Sequence, residues 1–191
     1  LRDAPSFGLH ESQSRLWENQ IMRGEKYWKY FYPKYQKVFP QLRKIKFDDF
    51  FFAINQVKPS LIRIECDELT YCLHVIIRYE IEKQIFNNQV KAKDLKKLWN
   101  QKYKEYLGVT PKHDTEGILQ DVHWVEGMFG YFPTYAIGTL YSAMLFDKMH
   151  EDIPKLDQEL RKGNVKSVRI WLKENVHKYG REMTAEEIVF K

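Results

Sequence analysis

Cysteine is scarce in this sequence, and its scarcity excludes two kinds of stabilising site. Only two cysteines occur, Cys66 and Cys72, and both fall within one segment predicted to be helical. Two cysteines at this spacing provide neither a disulfide framework nor the Cys-x-x-Cys pattern of a zinc site. The sequence therefore favours a reducing, intracellular compartment, and we expect a cytoplasmic protein.

Long apolar runs are also absent. No stretch approaches the roughly 18 apolar residues of a membrane-spanning helix. The first residues, Leu-Arg-Asp-Ala-Pro-Ser, lack the charged and then apolar regions of a signal peptide. We therefore expect no membrane partner. The 191 residues, 43% of them hydrophobic, suffice for one domain with a substantial core.

The sequence has no strong excess of either charge. Lysine and arginine total 31 against 26 aspartates and glutamates, a net charge of +5, and the basic residues are interleaved with acidic ones. Binding to nucleic acid would require a basic stripe and an association that weakens steeply with salt. We expect no nucleic-acid partner, and this function ranks behind the two considered below.

Hydrophobic spacing predicts a mainly α chain with a short β element. The candidate strand is Leu61 to Glu65, which is short and β-branched, and residues 109–132 are predicted to be loops broken by a short helix. Asp94 and Gly108 are expected to cap the two ends of one helix. Helices are predicted at Glu11 to about Tyr32, where Pro33 interrupts, at Phe47 to Val57, Asp67 to Phe86, Asp94 to Leu107, Pro133 to His150, Pro154 to Lys162 and Val165 to Lys178.

The first candidate site is His10-Glu11-Ser12-Gln13, at a predicted helix start. It begins like the H-E-x-x-H signature, in which two histidines bind zinc and the glutamate is a general base, but Ser14 stands where the second histidine belongs. A carboxylate in the first turn of a helix is also favoured by the helix dipole alone. Glu11 is therefore either a metal ligand or a first-turn acid.

The second candidate site is the stretch from Ile62 to His74. Arg63 lies within an apolar segment, where an unpaired charge is costly to bury. Asp67 or Glu68 can supply a structural ion pair. Alternatively, the guanidinium faces a cleft and binds a carboxylate at two points, a geometry that lysine cannot reproduce.

The third candidate site runs from Gly117 to Trp124 and continues through Gly127 to Ala136. Asp121 can orient His123 as a carboxylate–imidazole pair, and the glycines allow the backbone to approach a ligand closely. The alternative is an aromatic loop packed beneath a helix. Polar groups that converge in an apolar setting are typical of binding sites.

Together these stretches resemble the thermostable-carboxypeptidase family of metallopeptidases, the carboxypeptidase Taq type. The family motif H-E-S-Q matches His10 to Gln13, and G-x-x-Q-D-x-H-W matches Gly117 to Trp124 at every fixed position. The motif I-R-x-x-A-D matches Ile62 to Asp67, with Cys66 in place of alanine. Three long motifs in the family's order make this resemblance specific.

The resemblance implies that Glu11 is the third ligand of a zinc ion, or of cobalt in some members. The family's H-E-x-x-H helix lies upstream of H-E-S-Q, and the sequence contains no H-E-x-x-H. We therefore expect residues 1–191 to be the C-terminal part of a single larger helical catalytic domain. Without the other two ligands and the general base, this part is expected to be inactive alone.

The activity implied by the resemblance is the release of single residues from the C-termini of peptides. Arg63 is expected to recognise the substrate's terminal carboxylate, whereas His123 and Tyr135 donate hydrogen bonds to the scissile carbonyl or the oxyanion. Asp67, Gln120 and Asp121 complete the expected substrate-binding set, and the parent enzyme is expected to be a homodimer. A non-enzymatic helical module that binds a partner protein is the alternative hypothesis.

Overall fold

The structure is a computed structural model that describes residues 4–191. It is mainly α, as predicted, and within the described residues no strand is present. The α-helices are α1 (Phe7–Arg15), α2 (Glu25–Val38), α3 (Phe47–Ile54), α4 (Glu68–Phe86), α5 (Leu95–Leu107), α6 (Pro133–Asp152), α7 (Leu156–Leu160), α8 (Lys166–Asn175) and α9 (Ala185–Val189). Short 3₁₀ turns lie at Pro40–Lys44, Arg63–Glu65, Ala92–Asp94 and His177–Tyr179, and a π-helical segment, Leu16–Met22, continues α1.

The chain divides into two compact units. The first unit consists of residues 4–55 and Ile137–Lys191, and the second is Gln56–Ala136. The core of the first unit combines side chains from both of its segments, such as Leu9 and Leu16 with Leu145 and Met149. In the second unit α4 packs on α5 around Ile77, Ile81, Trp99, Tyr103 and Leu107. For residues 4–191, no helix has the length and apolar character needed to cross a membrane.

One of the two predicted helix caps is present, and Asp67, for which no capping role was predicted, caps a further helix. Asp67 caps α4, because its carboxylate accepts a hydrogen bond from the Thr70 backbone N–H at 2.8 Å. Gly108 ends α5 in the left-handed conformation at φ 71°. Asp94 precedes α5 as predicted, but its side chain makes no capping hydrogen bond.

The prediction that Pro33 interrupts a helix is wrong. Pro33 lies inside α2, where it removes one backbone hydrogen bond. Ring contacts with α3 hold this part of α2, since Phe50 lies 4.8 Å from Trp28 and 4.4 Å from Tyr32 between ring centroids. The break falls instead at Gly24, whose extended backbone precedes α2.

The predicted strand at Leu61 to Glu65 is also wrong, because a side chain takes the place of a neighbouring strand. The Gln120 carboxamide donates to the Leu61 carbonyl and accepts from the Arg63 backbone N–H, both at 2.9 Å. These backbone groups are therefore satisfied without a sheet, and the chain closes into the 3₁₀ turn Arg63–Glu65. The short helix predicted within residues 109–132 is likewise absent from these described positions, which form turns and bends.

Candidate functional site

Glu11 lies in the middle of α1. Helix α1 begins at Phe7, where the Ser6 hydroxyl accepts a hydrogen bond from the Leu9 N–H at 3.0 Å, and its first turn contains no acidic residue. The interpretation of Glu11 as a first-turn acid is therefore wrong. The Glu11 side chain is half-buried beside Gly138 of α6, where an added Cβ would lie 2.8 Å from the Glu11 Cβ and Cγ atoms. Glycine at position 138 thus lets the carboxylate-bearing face of α1 approach α6.

The serine and glutamine that follow Glu11 have structural contacts. Ser12 is fully buried, and its hydroxyl donates to the Leu9 carbonyl at 2.6 Å. The Gln13 side chain donates to Ser12 Oγ at 3.0 Å and lies 2.9 Å from His177 Nε2 through its oxygen. These bonds fix the helix around Glu11.

Glu11 does not belong to a three-ligand metal cluster within the part of the chain that the structure describes. No group of three or more histidine, cysteine, aspartate or glutamate side chains in residues 4–191 could hold a metal ion. His10, the neighbouring histidine, is exposed. The described residues therefore do not by themselves fit a three-ligand zinc site.

Arg63 is buried and its guanidinium binds Asp121, not the predicted Asp67 or Glu68. Its Nε and Nη2 atoms donate to Asp121 Oδ1 at 3.0 and 2.7 Å, and Nη1 donates to the Tyr71 hydroxyl at 3.0 Å. The guanidinium carbon also lies 4.7 Å from the centroid of the Tyr135 ring. Of the five N–H groups of an arginine, three are engaged in these bonds.

Arg78, for which no role was predicted from the sequence, is the second cation of this site. It is fully buried on α4, and its Nε donates to Asp121 Oδ2 at 2.6 Å. Its Nη2 donates to Gln120 at 2.9 Å and to the Tyr103 hydroxyl at 3.2 Å. The only sequence signal was an arginine at a position where helical spacing places an apolar residue.

Two guanidinium groups thus share one carboxylate. Burial opposes ionisation of Asp121, but the charges of Arg78 and Arg63 outweigh it, and the pKa of Asp121 is lowered. Burial opposes the charge on Arg63 as well, and the bond to Asp121 more than compensates, so the pKa of Arg63 is raised. The three residues carry one net positive charge inside the second unit.

His123 pairs with Tyr135, and both were predicted as catalytic residues. His123 Nε2 lies 2.9 Å from the Tyr135 hydroxyl, and the imidazole ring lies 4.4 Å from the ring of Phe132. Burial lowers the pKa of His123, and the Arg63 charge lowers it further. A neutral imidazole beside a phenol is suited to donate or relay a hydrogen bond.

The expected direct pairing of Asp121 with His123 is wrong. Asp121 Oδ1 lies 4.0 Å from His123 Nδ1, which is too far for a hydrogen bond. Both carboxylate oxygens are instead taken by Arg63 and Arg78, which stand closer and carry full charge.

Asp67 and Gln120 have well-defined structural partners. Besides capping α4, the Asp67 carboxylate accepts from the Thr70 hydroxyl at 2.7 Å and from the Lys58 backbone N–H at 3.1 Å. Gln120 binds the Leu61 and Arg63 backbone and the Arg78 guanidinium. The motif residues Arg63, Gln120, Asp121, His123 and Tyr135 are therefore brought together in the second unit, whereas Glu11 belongs to the first.

The chain is similar to known proteins along its whole length. The family model described as carboxypeptidase Taq (M32) metallopeptidase matches residues 1–191. Carboxypeptidase 1 of Bacillus subtilis (strain 168) is 53% identical over 190 residues, which are 99% of this chain and 38% of that protein. Thermostable carboxypeptidase 1 of Thermus thermophilus is 43% identical over 178 residues, 93% of this chain and 35% of that protein.

Solved structures agree with these sequence matches. The crystal structure of BsuCP matches with a TM-score of 0.95 at 53% identity, covering 98% of this chain and 38% of that one. The M32 carboxypeptidase from Deinococcus radiodurans R1 matches with a TM-score of 0.90 at 38% identity, covering 96% and 37%. The chain spans under two-fifths of the length of the relatives it matches. On this evidence, the chain belongs to the carboxypeptidase Taq (M32) family of metallopeptidases.

Proposed function

We propose that this chain is part of a metal-dependent carboxypeptidase and contributes one metal ligand and the substrate-binding residues. The observation that carries the proposal is the convergence of Arg63, His123 and Tyr135, from two separate family motifs and α6, on one buried cationic cluster. The relatives are named as carboxypeptidases. The whole protein would release single residues from the C-termini of peptides.

In this proposal Glu11 supplies one carboxylate ligand to zinc, or to cobalt, and the other ligands come from residues outside the 191. Zinc held by two histidines and a glutamate keeps an open position and lowers the pKa of bound water to about 7. The half-buried position of Glu11 in the middle of a helix fixed by buried neighbours supports this role. These residues would belong to one larger helical catalytic domain, in a cytoplasmic homodimer.

Arg63 remains our candidate for the group that recognises the substrate carboxylate. Two of its N–H groups are not engaged by the bonds to Asp121 and Tyr71, and the Arg63–Asp121–Arg78 cluster keeps a net positive charge. Because Asp121 and Gln120 both hydrogen-bond Arg63, they would act on the substrate indirectly, by holding the arginine in place. Asp67 would act in the same indirect way, by fixing the start of α4.

His123 and Tyr135 would contact the scissile carbonyl or the tetrahedral oxyanion. The loss of one oxyanion donor slows known enzymes by roughly 100-fold to 1,000-fold in kcat. In a longer, active protein that contains this chain, we expect His123→Gln and Tyr135→Phe each to lower kcat by about that factor. Unchanged kcat in both variants would contradict the assigned roles.

The chain alone should not cleave peptides, because its described residues contain no group of three or more side chains that could hold a metal ion. Calorimetric titration with zinc should show weak binding at most, and a blocked dipeptide should remain intact. In the longer protein, Glu11→Gln should abolish metal retention. Glu18→Gln, which alters a half-exposed glutamate paired with Arg15 and Arg23, is the matched control and should leave metal retention unchanged. Cleavage by the 191-residue chain would overturn the proposal that its metal site is incomplete.

A further inference from the structure

Helix α4 carries a stripe of polar side chains on a buried face. Tyr71, His74, Arg78 and Glu82 follow one another at helical spacing and are 7%, 0%, 0% and 4% exposed. Polar groups are costly to bury unless they find partners. Each residue of this stripe does find one, and the two at the C-terminal end bind the loop that contains His123.

Arg78 and Glu82, one helical turn apart, bind that loop on either side of His123. Arg78 donates to Gln120 and Asp121, which precede His123. The Glu82 carboxylate accepts from Trp124 Nε1 at 2.7 Å and from the Gly130 backbone N–H at 3.1 Å. Trp124 and Gly130 follow His123 in the chain.

The backbone of Gly130 and the packing of Trp124 place both hydrogen-bond donors beside the Glu82 carboxylate. Gly130 has a φ of 76°, a conformation that glycine adopts without strain, and this backbone turns its N–H toward Glu82. The Trp124 indole packs edge-on against Trp99, with ring centroids 5.8 Å apart. Burial raises the pKa of Glu82, and the hydrogen bonds from Trp124 and Gly130 oppose that rise.

His123 itself has few polar contacts that fix its orientation. Its Nδ1 atom is buried with no hydrogen-bond partner among the described residues, and Nε2 has the Tyr135 hydroxyl alone. Its backbone carbonyl accepts from the Met128 N–H at 2.8 Å, inside the same loop. The direction of the imidazole therefore depends on how the loop is held.

We infer that Arg78 and Glu82 are positioning residues, which hold the 120–130 loop at two points and thereby aim His123 at Tyr135. This inference rests on the proposed function, since it concerns the imidazole to which that function assigns a catalytic role. Arg78 also acts on His123 through its charge. Glu82 is the cleaner test because its contacts with the loop are hydrogen bonds to Trp124 and Gly130.

The test is Glu82→Gln in the 191-residue chain, with the titration of His123 followed by NMR of ¹³C-labelled histidine. His123→Gln identifies the His123 signal. Glutamine keeps the shape of glutamate but cannot accept from both Trp124 and Gly130, so the loop should loosen and water should reach the imidazole. We expect the His123 midpoint to rise by about half a pH unit or more, toward the ordinary value of about 6.5.

Glu80→Gln is the matched control. Glu80 lies on the same helix and also has two partners, the Tyr106 hydroxyl at 2.7 Å and the Lys102 ammonium at 2.6 Å, but it does not contact the loop. This variant should leave the His123 midpoint unchanged, even where stability falls. An unchanged midpoint in folded Glu82→Gln would overturn the inference.

Trp124→Phe keeps the test decisive if Glu82→Gln fails to fold. This variant lacks the indole N–H that donates to Glu82, so the loop loses one of its two hydrogen bonds to that carboxylate. The His123 midpoint should again rise. A folded Trp124→Phe with the wild-type midpoint would overturn the inference as well. If the midpoint shifts while His123→Gln leaves the longer protein fully active, the positioning role stands and the proposed catalytic role of His123 fails.

Discussion

Asp121 is the carboxylate that two buried arginines of the second unit share. Asp121→Asn should destabilise the chain by about 3–5 kcal/mol, because Arg63 and Arg78 would lose their shared carboxylate and remain buried. Urea unfolding measures this loss. Asp114→Asn is the control, since it breaks only a half-exposed pair with Lys96 and should cost less than about 1 kcal/mol. Equal losses in the two variants would contradict the importance of the buried cluster.

The buried histidine His74 makes the free energy of unfolding depend on pH between about 4 and 6.5. Burial and, after it, the charge of Arg78 lower the pKa of His74 to about 4. The folded state therefore excludes a proton that the unfolded chain binds below about pH 6.5. This contribution is complete above that pH and is lost as pH falls toward 4, by about 2 kcal/mol between roughly pH 7.5 and pH 5.

His74→Gln removes this titration. Urea unfolding at about pH 7.5 and about pH 5 should show a smaller loss of stability for the variant than for the wild-type chain, by about 2 kcal/mol. His113→Gln, at an exposed position, should keep the wild-type dependence. A variant at position 74 that loses as much stability as the wild type would refute the assignment.

At the scale of elements, the approach of α1 to α6 depends on one glycine. An added Cβ at Gly138 would lie 2.8 Å from side-chain atoms of Glu11 and 3.1 Å from its backbone carbon. Gly138→Ala should cost about 1–3 kcal/mol by overpacking and should displace Glu11. Thermal unfolding and, in the longer protein, metal retention measure the two effects.

Gly108→Ala separates overpacking from loss of backbone freedom. An added Cβ at Gly108 meets nothing within 4 Å, but φ is 71°. Its cost should therefore be about 1 kcal/mol and purely conformational, with no effect on metal retention. If Gly138→Ala retained metal as well as Gly108→Ala does, close packing around Glu11 would not matter.

Helices α4 and α6 were predictable because local signals agree with the fold. Asp67 caps the start of α4, and Pro133 occupies the first position of α6, where a missing N–H costs nothing. The turn at Arg63 was not predictable, since its backbone is satisfied by Gln120, 57 positions along the chain. Arg78 was missed for the same reason, because its partner Asp121 lies 43 positions away. The motif residues were found by resemblance, whereas the residues that hold them become visible only in the fold.

For the molecule as a whole, we expect the second unit to fold on its own and the N-terminal segment of the first unit not to. The core of the second unit and the Arg63–Asp121–Arg78 cluster consist entirely of residues 56–136. A peptide of these residues should therefore unfold cooperatively in urea, followed by circular dichroism. A peptide of residues 4–55 should not, because its core side chains Leu9, Leu16 and Ile21 pack with residues of the 137–191 segment. A non-cooperative 56–136 peptide would show that this unit needs the rest of the chain.

The interrupted sequence of the first unit also has a consequence for synthesis on the ribosome. The second unit lies between the two segments of the first, so all of its residues are synthesised before Ile137–Lys191. Leu9 and Leu16 are therefore made before Leu145, Met149 and Leu172, the side chains with which they form a core. Chains grow at about 5–20 residues per second, and their units form in the order of emergence. The helix that carries Glu11 is thus expected to reach its final packing last, after the arginine cluster has formed.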